Sequence, residues 1–270
     1  NSPECKERFE KLGYALSSAN SINWGRLVPQ IVYYISAYVD MLGCDEIEEG
    51  EAINFVVPTG NFGDVLAGYY AKRMGLPVNK LIVASNINNV LTDFFGSGRY
   101  DINRPFHKTM SPSMDILISS NLERLLFEIL DRDSAKVRAL MDSLKEDGEY
   151  EIDVDTLFEK VPEFLAYCSD EAGTEATIDN FFETNDYLLD PHTAVAVNSY
   201  NDYLTETGDQ TKTVVVSTAS PYKFAHDVYQ AVSGNDEEDP FKAVKKLHSY
   251  TLTDIPKEIK ALEYLEPIHT

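Results

Sequence analysis

Short apolar runs alternate with helical periodicity through the first part of the chain. Ile53 to Val57 is apolar apart from Asn54, Val65 to Met74 has its apolar positions at three-to-four spacing, and Leu81 to Ala84 is apolar again. Short apolar runs bounded by turn formers predict buried strands, and three-to-four spacing predicts a helix, so the stretch predicts a βαβ unit of about 30 residues. Far downstream, Thr213 to Ser217 predicts a third buried strand, followed at once by a turn and a helix-like segment. Parallel strands of this kind bind ligands at their carboxyl ends. Upstream, Leu27, Ile31, Ile35 and Leu42 predict the buried stripe of a helix, with Pro29 in its first turns or kinking it.

The middle of the chain has another character. Val137, Leu140 and Leu144 keep helical spacing, and between Asp131 and Asp190 there are 18 acidic and five basic residues, so this stretch holds 13 of the chain's 22 net negative charges. A solvated helical layer is expected there. The overall charge repels nucleic-acid phosphates and anionic lipid, which removes both as partners. The most apolar stretch, Ile31 to Val39, is far short of the roughly 20 residues that cross a bilayer. Cys5, Cys44 and Cys168 are odd in number and show no CxxC, so neither a disulfide framework, a zinc site nor another metal centre is suggested, and a reducing cytoplasm fits best. The chain begins Asn1-Ser2-Pro3-Glu4, without a methionine or an export signal, and is expected to be processed or cut from something longer.

The sharpest local feature is the loop at residues 58–64, Pro58-Thr59-Gly60-Asn61-Phe62-Gly63-Asp64, between a predicted strand and a predicted helix. Glycines at 60 and 63 can take positive φ and let backbone approach a ligand closely, and the helix start presents unpaired amides. Such a bend binds phosphate without lysine or arginine, so a local cradle and an acidic protein are compatible. It matches neither GxGxxG nor GxxxxGK[ST], and on its own it is equally a plain strand-to-helix turn. Asp64 can cap or occupy the first turn of the helix, and Gly75 with Pro77 ends it. Other candidates are weaker. Asn20, Asn23 and Arg26, and separately Ser113, Asn121 and Arg124, present donors suited to a carboxylate or phosphate, with surface capping as the alternative. His192 follows Asp190-Pro191, which reads as an N-cap and first-turn proline.

The run Val57-Pro58-Thr59-Gly60-Asn61-Phe62-Gly63-Asp64, with Ala67-Gly68 and Met74-Gly75-Leu76-Pro77, resembles the pyridoxal-phosphate loop of threonine synthase. Four further segments agree in order: residues 20–27 (NSINWGRL), residues 111–126 in the parts SPSMDI and SNLERLL, residues 190–195 (DPHTAV) and residues 217–224 (STASPYKF). The resemblance is to the longer bacterial and fungal form. It implies an α/β fold: the parallel-sheet cofactor domain of a fold type II, tryptophan synthase β-like, pyridoxal-phosphate enzyme, incomplete and carrying a helical acidic region. Residues 1–115 would belong to that domain with phosphate loop 58–64, residues 116–190 would be the mainly helical acidic region, and residues 191–270 would return to the domain with strand 213–217 and a C-terminal tail.

The resemblance also implies an activity, the lyase reaction of threonine biosynthesis in which O-phosphohomoserine and water give threonine and phosphate on pyridoxal 5′-phosphate (PLP). Gly60, Asn61, Phe62, Gly63 and the neighbourhood of Asp64 would hold the cofactor phosphate, and Thr218 would give its hydroxyl to the pyridine nitrogen. Asn20, Asn23, Arg26, Ser113, Asn121, Arg124 and His192 are the substrate-side candidates. Ser220 replaces a histidine found in many relatives. No segment resembling the Phe-Lys-Asp site of the Schiff-base lysine occurs in these 270 residues, and Lys72 and Lys223 are poor substitutes. The chain therefore resembles the carboxyl-terminal portion of the enzyme, with open strand edges and an apolar face for the missing amino-terminal part. The alternatives are a non-catalytic phospho-ligand binding or regulatory domain, and a related phospho-lyase acting on another phosphorylated amino acid.

Overall fold

The computed structural model describes residues 2–16 and 20–266. Its strands are Ile53–Pro58 (β1), Val78–Ser85 (β2), Arg99–Asp101 (β3), Glu149–Glu151 (β4), Phe164–Cys168 (β5) and Thr213–Val215 (β6). Four of them make one parallel sheet in the order β5-β2-β1-β6, and β3 pairs antiparallel with β4. The predicted βαβ unit is present: Gly63–Arg73 forms the helix between β1 and β2.

Ahead of the sheet lie helices α1 (Pro3–Lys11), α2 (Trp24–Leu27) and α3 (Ile31–Gly43); α4 is Gly63–Arg73 and α5 is Val90–Ser97. The helical region at residues 116–190 holds α6 (Leu122–Ile129), α7 (Ser134–Glu146), α8 (Val154–Lys160) and α9 (Glu171–Asn185). Then follow α10 (Pro191–Thr207), α11 (Ala225–Ser233), α12 (Pro240–Thr251) and α13 (Lys257–Leu262).

Side-chain alternation builds two layers on the sheet. Phe55 and Val57 of β1 and Leu81 and Val83 of β2 join a core with Tyr34, Leu66 and Phe94 from α3, α4 and α5. Val56, Ile82 and Ala84 face the other way, against Val195, Ala196 and Tyr203 of α10. Both faces are covered, which is why these strands read as continuous apolar runs. A Cβ at Gly68 would lie 2.6 Å from Tyr34 Cε1, so glycine there lets the tyrosine ring settle on α4.

Five expectations need correction. The acidic stretch is mostly helix, yet it also supplies β5, which extends the main sheet beside β2. The third strand is shorter than read, Thr213–Val215, because only β1 supports it on one side. In α3 the buried face is Tyr34 and Tyr38, with Ile31 and Leu42 partly buried, whereas Ile35 points outward. Pro29 neither kinks nor enters this helix but sits in a 3-10 turn, Val28–Gln30, that separates α2 from α3. Lastly, Gly60 and Gly63 are not among the positive-φ glycines; their lack of a side chain matters for close approach instead. Among the described residues no helix is long and apolar enough to cross a membrane, and no three His, Cys, Asp or Glu side chains are grouped to hold a metal ion. The last four residues of the C-terminal tail lie outside the described residues.

Candidate functional site

The bend between β1 and α4 leaves the carboxyl end of the central sheet. Thr59 is buried and anchors it, donating its amide to the Ala84 carbonyl at 2.7 Å and its hydroxyl to the Val57 carbonyl at 2.7 Å. The segment Ser111 to Asn121 braces the bend along one side. Ser119 Oγ donates to the Gly60 carbonyl at 2.5 Å, Ser120 Oγ to Asn61 Oδ1 at 2.7 Å, and the Phe62 amide donates to the Ser120 carbonyl at 2.8 Å. A Cβ on Gly60 would stand 2.9 Å from Met114 Cα and from the Ser113 carbonyl oxygen, so backbone packs on backbone there. Among the described residues the amides of Gly60, Asn61, Gly63 and Asp64 meet no acceptor. Phe62 is thus set apart from the other predicted phosphate contacts: its amide is committed to Ser120, and its ring is fully buried between Phe95 and Phe164.

Asp64 occupies the first turn of α4 rather than its cap. Burial pushes its carboxyl up to about 6, against a lowering hydrogen bond from Tyr34. The Tyr34 hydroxyl is itself held well above its usual range, first by burial and then by Asp64.

Thr218 follows β6, whose residues Asn54↔Thr213 to Val56↔Val215 run in parallel register with β1, and the Val216 amide donates to the Val56 carbonyl at 2.9 Å. Gly60 and Thr218 therefore leave the sheet at the same end, on neighbouring strands. Thr218 is exposed.

The two substrate-side groups lie against each other. Asn121 Nδ2 donates to the Ser21 carbonyl at 3.0 Å and Arg124 Nη2 to the Ile22 carbonyl at 3.0 Å, while Arg124 Nε donates to Asn121 Oδ1 at 3.0 Å. The guanidinium also lies over the Trp24 ring at 5.2 Å. Asn121 takes a left-handed φ of 75° and brings its amide beside Gly63, 3.1 Å from where a Cβ would be. Asn23 caps α2 by accepting the Gly25 amide at 2.8 Å, Asn20 accepts the Ile22 amide at 3.3 Å, and Arg26 is exposed.

His192 is placed differently from the expectation of a substrate contact. It is only 3% exposed, its Nδ1 faces Asp190 Oδ1 at 3.0 Å, and its Nε2 accepts the Ser113 amide at 3.2 Å. Both ring nitrogens are engaged, and an acceptor at Nε2 requires the proton on Nδ1, facing the carboxylate.

A polar network not anticipated from the sequence lies behind the Ser111 to Asp115 segment. Asn86, just beyond β2, has its Nδ2 within 2.9 Å of Thr109 Oγ1, 3.0 Å of Ser111 Oγ and 2.9 Å of Asp115 Oδ1. Asn88 donates to the His107 carbonyl at 2.9 Å. The detectable signal was a pair of asparagines at the carboxyl end of a buried strand, where polar side chains meet the site rather than the core.

This arrangement has known counterparts. Residues 193–266 match the family model described as threonine synthase, C-terminal. The threonine synthase of Corynebacterium glutamicum is 36% identical over 254 residues, covering 92% of this chain and 51% of that protein. The chain belongs to the threonine synthase family. Human threonine synthase-like 1 is 43% identical over 222 residues, 82% of this chain and 29% of that protein. The crystal structure of PLP-bound threonine synthase from Brucella melitensis aligns with a TM-score of 0.73 at 44% identity, over 86% of this chain and 48% of that one. The fold is that of the fold type II PLP enzymes, and the chain spans about half the length of the threonine synthases it matches.

Of the two lysines considered as substitute nucleophiles, only Lys72 is placed away from the bend of this threonine synthase fold. Lys72 lies at the far end of α4 with its Nζ 3.9 Å from Glu163, and Lys223 is exposed with its Nζ 5.6 Å from the Phe224 ring centroid.

Proposed function

We propose that this chain provides the phosphate side and the ring-nitrogen side of a threonine synthase site that converts O-phosphohomoserine and water to threonine and phosphate with PLP. The observation that carries the reading is the set of acceptor-free amides at Gly60, Asn61, Gly63 and Asp64, one strand away from Thr218. The donor set suits a phosphoester: uncharged main-chain N–H groups at the start of an 11-residue helix, in a bend whose two glycines pack directly against residues 113, 114 and 121. An anion held there would push the Asp64 carboxyl further up and favour its neutral form.

PLP, when bound, supplies the electron sink for chemistry at the substrate carbons. Thr218 offers the pyridine nitrogen a hydroxyl, which, unlike a carboxylate, does not favour a protonated ring. Ser113, Asn121 and Arg124, with Asn20, Asn23 and Arg26 across from them, form the substrate side. The lysine that holds the cofactor is assigned to the amino-terminal part of the same protein, outside these 270 residues.

The same part has a surface to cover. Val28, Val32, Ile35 and Val39 make a second apolar stripe along the outer face of α3 and the turn before it, 38%, 60%, 38% and 55% exposed. The stripe adjoins a groove lined by Tyr33, Ala37, Phe55, Val214 and Val216, beside the open edge of β6. Covering it would gain about 1.5–3 kcal/mol for each large apolar side chain buried.

A complete polypeptide containing this chain is expected to release phosphate from O-phosphohomoserine in the presence of PLP, and the isolated chain is expected to release none. Release by the isolated chain, with a borohydride-trapped adduct on Lys72 or Lys223, would contradict the assignment. The second reading, a site for another phosphorylated amino acid or a purely binding one, is favoured by the 43% identity to a human protein named threonine synthase-like. Phosphate release from a different phosphorylated amino acid, or binding without release, selects it.

A further inference from the structure

We infer that Asp190, His192 and Thr193 are positioning residues that hold the phosphate bend and the Thr218 strand end in one register. The inference rests on the reading above for what the two ends bind, but its geometry does not.

Asp190 is 1% exposed and caps α10, and its two carboxylate oxygens divide between two directions. Oδ1 accepts the His192 amide at 2.9 Å and faces His192 Nδ1, fixing which ring nitrogen carries the proton. His192 Nε2 then accepts the Ser113 amide, and the Ser113 carbonyl and Met114 Cα are the atoms packed on Gly60. That route runs from Asp190 through an imidazole to the bend. Oδ2 accepts the Thr193 hydroxyl, which lies 3.2 Å from Ser217 Oγ, the residue before Thr218. That route runs from the same carboxylate to the other end of the site. The His192 ring also rests on Phe224 at 4.8 Å, tying in the turn beyond Thr218.

A ligand anchored by a phosphate at one end and a ring nitrogen at the other tolerates little change in the span between its anchors, so a shared rigid carboxylate is a means of setting that span. Bulk packing does not require it: a buried apolar residue at 192 would fill the same space but leave the Ser113 amide without its acceptor.

The test uses amide resonances and hydrogen exchange of the ligand-free chain. His192→Gln places an acceptor near the Nε2 position, whereas His192→Asn reaches only as far as Nδ1. In the Asn variant the Ser113 amide is expected to exchange at least about tenfold faster, with the Gly60 and Asn61 resonances displaced, while the Gln variant stays within about twofold of wild type. Equal behaviour of the two variants, or a Gly60 resonance that stays in place once Ser113 is released, overturns the inference. Thr193→Val, which keeps His192, examines the other route: Ser217 and Thr218 are expected to shift while Gly60 does not, and an unmoved Thr218 overturns the shared clamp even if the Asn variant fails to fold. Titration of the wild type with inorganic phosphate separates the two readings. No response at Gly60 and Asn61 counts against the phosphate site, while the contrast between Gln and Asn still decides the clamp.

Discussion

The Tyr34 hydroxyl donates to the main-chain carbonyl of Asp64 at 2.8 Å and lies 3.2 Å from its carboxylate Oδ1. The contact joins α3 to the first turn of α4, next to the amides offered to phosphate. Tyr34→Phe keeps the edge-on contact with Phe55 at 4.9 Å and removes only the hydroxyl. A loss of about 1–2 kcal/mol in urea unfolding, at unchanged slope, is expected. An unchanged midpoint would mean that the hydroxyl contributes nothing to the junction.

Asp64 has a raised carboxyl, about 6 against an ordinary 3.8, caused mainly by burial. Between those values the unfolded chain has released its proton and the folded chain has not, so stability falls as pH rises from about 4 to about 6 and is level above. Asp64→Asn removes that slope and still lets Tyr34 donate. The variant is expected to match wild type near pH 3.5 and to exceed it by up to about 3 kcal/mol at pH 7. A difference independent of pH would show that the carboxyl is not desolvated as described.

Alanine at two glycines should act in opposite directions. Gly60→Ala drives a Cβ to 2.9 Å from backbone atoms of residues 113 and 114, which cannot swing away as a side-chain tip would. A loss of about 1–3 kcal/mol and phosphate binding weakened by about tenfold or more are expected. Gly96→Ala, at an exposed position of helix α5 with nothing within 4 Å of the new methyl, should stabilise by up to about 1 kcal/mol. Equal effects in thermal and phosphate-binding measurements would remove the steric argument for Gly60.

Thr218 is exposed and packs little, so Thr218→Val should leave the unfolding free energy of the chain within about 0.5 kcal/mol. In the complete enzyme the same change should weaken PLP binding or the transition state by about 1–3 kcal/mol. Unaltered kinetics there would contradict the placement of the ring nitrogen.

What could be read in advance depended on how many neighbours an element needs. β1, α4 and β2 are adjacent in sequence and buried on both faces, so their apolar runs and the bend between them were legible. β5 was not: its five residues sit inside an acidic stretch and become a strand only because β2 offers an open edge. Ile35 of the outer stripe of α3 was read as buried because spacing shows that a face is apolar, not which of two apolar faces meets the sheet. The hydrogen-bond partners of His192 and of the Phe62 amide were not legible for a related reason. Residue type indicates which atoms can bond, but Ser113 and Ser120, distant in sequence, took those bonds first. The Asn86 and Asp115 network was missed because its members lie 29 residues apart, and although Ser111 and Asp115 belong to the SPSMDI segment, nothing in that segment points to Asn86.

The most direct test of the account is a titration of the ¹⁵N-labelled chain with PLP, followed at every assigned amide. The largest shifts are expected on Gly60, Asn61, Gly63 and Asp64, with Thr218 responding to PLP and not to inorganic phosphate. Shifts centred elsewhere, with those four amides unmoved at saturating ligand, would contradict it.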